Sequence, residues 1–102
     1  MTSLHYELRK YAEESNIIEA VFIRKGKVLE EFIVVLKVDD PEKILDCNEF
    51  CFSMMEKYET LKNFYVYTAE EVSRVYVSLA EFELFYGRAI IRGDYYAWQG
   101  LD

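Results

Sequence analysis

The chain has 102 residues, 52% of them hydrophobic, which is enough for one core and excludes a disordered segment. Nineteen acids stand against twelve Lys and Arg, a net charge of −7, which excludes general binding to nucleic-acid backbones. With two cysteines, and no apolar run longer than residues 32–36, neither a disulfide scaffold nor a membrane-spanning helix is expected.

The first predicted element is a helix over residues 2–15. Leu4, Leu8, Tyr11 and Ala12 fall on one stripe, and Ser15-Asn16 ends it. Residues 17–24 and 28–38 then read as two β-branched, aromatic-rich strands around Gly26-Lys27, a β-hairpin signature. A two-residue loop there would pair Lys25 with Val28 and Val21 with Phe32, with Gly26 at positive φ. The second strand is apolar on both faces: Phe32, Val34, Leu36 and Val38 on one, Leu29, Ile33 and Val35 on the other. Such a strand is buried on both sides, by helices or by a second subunit.

Asp40-Pro41-Glu42 is a helix start: an N-cap, a proline at the first helical position and an acid in the first turn. Ile44, Cys47, Cys51, Met54, Tyr58 and Leu61 make one continuous stripe, and Lys62-Asn63 closes the helix. Leu45, Phe52 and Met55 form a second stripe, wider than a simple amphipathic helix requires. Residues 64–68 read as a third strand with Tyr65 and Tyr67 on one face. Thr68-Ala69-Glu70-Glu71 is a capping box that opens a short helix. A second box, Ser78-Leu79-Ala80-Glu81, restarts the helix, and Gly87 suits its C′ position. Residues 89–92 and 95–98 flank Gly93-Asp94 as a small second hairpin, and residues 99–102 form a tail. The expected fold is therefore a single α+β domain over 1–102, with an antiparallel sheet packed on two to three helices in the order α-β-β-α-β-α-β-β. A start without a signal-peptide apolar region, together with two unpaired cysteines, points to the cytoplasm.

Candidate chemistry is sparse. Cys47 and Cys51 are spaced as helix neighbours, but a metal site needs more ligands, so both read as buried thiols. His5, the one histidine, has no Ser, Cys or Asp at motif spacing and reads as a surface residue. Glu30 and Glu31 point to opposite faces of a strand and cannot enter one site. Asp39-Asp40 and Glu70-Glu71 are explained by capping and by the helix dipole. The sequence has no glycine-rich phosphate loop, nucleophile elbow or zinc-helix motif, so no catalytic residue, metal or cofactor is assigned. Arg24-Lys25-Gly26-Lys27 is the single basic cluster and reads as a solvated turn.

The run EEFIVVLKVDDPEK, an amphipathic helix, NFYVYTAEEV and YGRAIIRG together resemble the minimal nucleotidyltransferases, small proteins that often act as antitoxins beside a helical toxin. The resemblance implies a Gly-Ser turn after the first strand, an Asp-x-Asp pair opening the second and a third acid on a later strand, holding Mg²⁺ ions. Here Gly26-Lys27, Glu30-Glu31 and the Tyr65/Tyr67 strand stand at those places. The resemblance thus implies a degenerate fold without its catalytic machinery.

The favoured expectation is a small acidic, non-catalytic interaction module that binds itself as a homodimer and also an unidentified protein, with no membrane and no general nucleic-acid partner. Its role would be that of an inhibitor or antitoxin-like regulator. The alternatives are a divergent nucleotidyltransferase-like enzyme using Glu30 or Glu31 with Asp39 around a metal, and an acidic imitator of nucleic acid. The candidate contact residues are Leu45, Phe52 and Met55, and the cluster Tyr95, Tyr96 and Trp98, because exposed apolar and aromatic groups favour interfaces.

Overall fold

Capping and hairpin chemistry organise the first half of the chain. In a computed structural model, which describes residues 3–72 and 82–87, α1 (Leu4–Ser15) starts at Ser3, whose hydroxyl accepts from the Tyr6 N–H at 3.1 Å. It stops at Asn16, in the left-handed conformation at φ 58°. β1 (Ile18–Lys25) and β2 (Glu30–Leu36) form the expected antiparallel hairpin. The loop is wider than two residues. Lys25 pairs with Glu30 and Val21 with Val34, and the Gly26 N–H donates to the Leu29 carbonyl at 2.8 Å across a four-residue connection. Gly26 has no positive φ, so the tight turn expected from Gly26-Lys27 is not formed. The slip is an even number of residues, which keeps every β2 side chain on its expected face.

Asp40 caps α2 (Pro41–Lys57) as expected, its carboxylate accepting from the Glu42 N–H at 2.9 Å. The helix ends at Tyr58, earlier than its apolar stripe suggests. Leu61 already belongs to β3 (Leu61–Thr68), because pairing with β2 overrides the helical period there. β3 runs parallel to β2, so the sheet is mixed where an antiparallel one was expected. The reason is length. Seventeen helical residues rise about 25 Å, close to the roughly 23 Å of the seven-residue β2. The chain therefore returns to the end where β2 began. The Thr68 capping box forms in both directions: the Thr68 N–H donates to Glu71 at 2.8 Å and the Glu71 N–H to Thr68 at 3.1 Å. It opens the short α3 (Ala69–Val72).

The helix expected to end at Gly87 is instead β4 (Glu83–Gly87), antiparallel to the free edge of β1, giving the order β3-β2-β1-β4. A strand edge that would otherwise lack backbone partners outweighs the local capping pattern. Gly87 has φ +79°, the conformation its expected C′ role also required, in a different element. The Ser78–Glu81 box, the 89–98 hairpin and the 99–102 tail lie outside the described residues.

Both long helices pack on one face of the sheet. Leu4, Leu8 and Ala12 of α1 and Cys47, Cys51 and Met54 of α2 enclose Val21, Ile23, Phe32, Val34 and Leu36. Each buried Leu, Ile, Val, Phe or Met among them contributes about 1.5–3 kcal/mol. The opposite face is buried too, at Ala20, Phe22, Ile33 and Val35. The two-sided burial expected of β2 is thus met within a single chain and leaves that strand no surface for a second subunit. Val28, Leu29 and Val38, expected in strand two, lie outside it and are exposed.

Candidate interaction surface

α2 presents two different faces. Cys47, Cys51 and Met54 point into the core, and Ile44, Phe50, Met55 and Tyr58 pack half-buried against it. Met55 is therefore partly taken up by the core. Leu45 and Phe52 are not: each is 59% exposed. They lie seven residues apart, two turns on one side of the helix, about 10 Å along its axis. The Phe52 ring is held edge-on against Phe64 of β3, with centroids 5.0 Å apart and planes at 85°. Phe64 pairs in register with Phe32, so the exposed ring stands on an aromatic support continuous with the core. Sequence periodicity had no means of finding Phe64, because its contact with Phe52 depends on how α2 crosses the sheet. Exposed Glu49 and Glu56 share the side of α2 that carries Leu45 and Phe52. Tyr95, Tyr96 and Trp98 lie outside the described residues.

The remaining candidates sit in structural roles. Cys47 and Cys51 are free and buried, as expected. The hydrogen bond between the two thiols, then burial, push the Cys51 thiol far above its ordinary value. That disfavours the thiolate needed for nucleophilic attack or metal binding. Tyr11 stacks on Phe50 at 3.9 Å and donates to Asp46 at 3.2 Å. Burial first, then the neighbouring Cys47 and Asp46, raise its phenol. Tyr65 and Tyr67 share one face of β3 as expected, their rings near-parallel 6.4 Å apart. Burial, then Tyr65 and Glu71, raise the Tyr67 phenol.

His5 is not a lone surface residue. Its Nε2 lies 2.6 Å from a Glu30 carboxylate oxygen, and its ring packs between Phe32 and Phe85. The signal was absent from the sequence because the partner lies 25 residues away. Glu31 points to the opposite face, where it accepts from Arg24 at 2.5 Å and lies 3.7 Å from Lys62. The two glutamates are therefore separated by the sheet, as strand alternation requires. Asp39 is exposed in the loop before α2. Among the described residues no three or more His, Cys, Asp or Glu side chains converge on a common point that could hold a metal ion.

Compared with family models, curated proteins and solved structures, the chain finds no match. The resemblance to minimal nucleotidyltransferases thus rests on its pattern alone; Glu30 is paired with His5 and Glu31 with Arg24, on opposite faces of the sheet. Among the described residues no helix is long and apolar enough to cross a membrane.

Proposed function

We propose that this chain is a non-catalytic protein-interaction domain that self-associates as a twofold dimer through the outer face of α2, as an inhibitor or antitoxin-like regulator would. The observation that carries the reading is the pair Leu45 and Phe52, large apolar side chains left mostly in water on one side of a helix whose other side is fully used by the core. Apolar groups placed in this way are covered most simply by their own copy across a twofold axis. Phe52 is already oriented by Phe64, so little ordering entropy opposes contact.

The acids on this face set a condition. A twofold contact brings Glu49 and Glu56 of two copies near one another, on a chain already at net charge −7. Self-association through α2 therefore tightens as salt rises, because screening weakens the repulsion while the apolar contact persists. Light scattering coupled to size exclusion tests this directly. The wild-type chain is expected as a dimer at high micromolar concentration, more so in high salt. Phe52→Glu is expected to be a folded monomer whose melting temperature falls only modestly, by the loss of the Phe64 contact and of the dimer, since the side chain it replaces is largely solvent-exposed. A wild-type monomer under the same conditions removes the reading.

A further inference from the structure

We propose that the β1–β2 tip is a docking groove for a short acidic segment of a partner protein, one that carries apolar side chains between its acids. This surface shares no residue with the α2 face, so the inference does not rest on self-association.

The groove is assembled by the fold. Arg24, Lys25, Lys27, Val28 and Leu29 come from the hairpin, and Lys62 comes from the start of β3; together with Glu31 and Gly26 they line one open concavity of about 490 Å³. Lys62 arrives only because β3 runs parallel to β2, with Asn63 opposite Glu31. Four cations thus meet at one place on a chain that has twelve in all. Among the described residues that line the groove one is a carboxylate, and it is turned inward: Glu31 is 7% exposed. Its closest bond goes to Arg24, whose guanidinium also lies over the Phe82 ring at 5.1 Å. Among the described residues Lys25 and Lys27 have no acidic partner. Val28, at 73% exposure, and Leu29, at 41%, add apolar surface between the cations.

This chemistry selects the occupant. Bare phosphate would leave Val28 and Leu29 uncovered. A longer nucleic acid would leave the groove and meet the rest of the chain, which without these four cations and Glu31 carries eight basic and eighteen acidic residues, a net −10. A short segment alternating acids and apolar residues fills the groove, matches its charge and ends before that field. Fixed cations at the groove would also steer such a segment there.

The test titrates the full chain with a fluorescein-labelled peptide of about ten residues alternating Glu and Leu, read by anisotropy, with amide shifts mapped by NMR. Saturable binding is expected, with shifts at residues 24–29 and 62 and affinity falling about tenfold as NaCl rises from about 50 to about 300 mM. Lys27→Glu alone, on an exposed loop, should lower affinity about tenfold at an unchanged melting temperature, and Lys27→Glu with Lys62→Ala further, with no more stability lost than the weak 3.7 Å pairing of Lys62 with Glu31 supplies. Phe52→Glu should leave binding intact, which separates this result from the fate of the dimer. Absence of binding, shifts confined to other residues, equal affinity of the Lys27→Glu variant, equal binding of a Lys-Leu peptide, or tighter binding of an oligodeoxythymidine of matching length would each overturn the proposal.

Discussion

The two ends of the β1–β2 ladder are built on different physics. At the end where Ile18 pairs with Leu36, the backbone is closed on every described side. α1 finishes there and α2 begins, Tyr11 of one helix reaching Asp46 of the other, and the Lys37 N–H donates to the Ile17 carbonyl at 2.8 Å. β4 comes so near β1 that a Cβ on Gly87 would lie 2.1 Å from the Glu19 carbonyl oxygen. At the other end, Lys25 and Glu30 lead into an open four-residue loop whose side chains project into water. One end is defined by close backbone approach and the other by charge. The closed end holds the backbone of the fold, and the open end carries little of its packing.

The largest expected effect is at the closed end. Gly87→Ala forces a side chain onto a left-handed backbone and into the Glu19 carbonyl, so a loss of about 2–4 kcal/mol is expected in chemical denaturation. A loss no greater than that of Gly26→Ala would erase the distinction between the two ends. Glu31→Gln comes next. It removes the anion that holds Arg24 and Lys62 together beneath the tip, and about 1–2 kcal/mol should be lost, the value being limited because both cations are well solvated. Amide exchange should quicken at residues 24–31 while Ile18–Val21 stays protected; uniform quickening would show that the ends are not independent.

Alkali addresses the buried side of α2, between the two ends. Cys51 and Tyr11 hold their protons more tightly when folded than when unfolded. The unfolded chain binds fewer protons once pH passes the ordinary thiol and phenol values, so stability is full below about 9 and declines as pH rises through about 9 and then about 10. Cys51→Ala should flatten the first part of that decline in a series of melting curves; an identical profile would remove the thiol from the account. The smallest effect is Gly26→Ala at the open end. With no positive φ and a single tight neighbour, the Leu29 carbonyl at 3.1 Å, it should cost less than about 1 kcal/mol. A cost like that of Gly87→Ala would restore the tight turn that the sequence suggested.

How much was legible in advance differs along the chain for physical reasons. Ser15-Asn16, Asp40-Pro41 and Thr68–Glu71 place their helix ends correctly, because a cap involves only residues within one turn of one another and needs nothing else. The hairpin, the α+β class, the buried Cys47 and Cys51 and the split of Glu30 from Glu31 follow from periodicity, which local sequence also carries. Leu45 and Phe52 could be named as surplus apolar residues, and Met55 with them, but only the packing of α2 decides that two stay outside and the third is half-covered by the core. Strand direction, the true role of Gly87, the partner of His5 and the arrival of Lys62 beside the hairpin were decided by tertiary structure alone. Each depends on groups more than twenty residues apart meeting across the sheet, and the free energy of that pairing outweighs the fractions of a kcal/mol by which local preference favours one element over another.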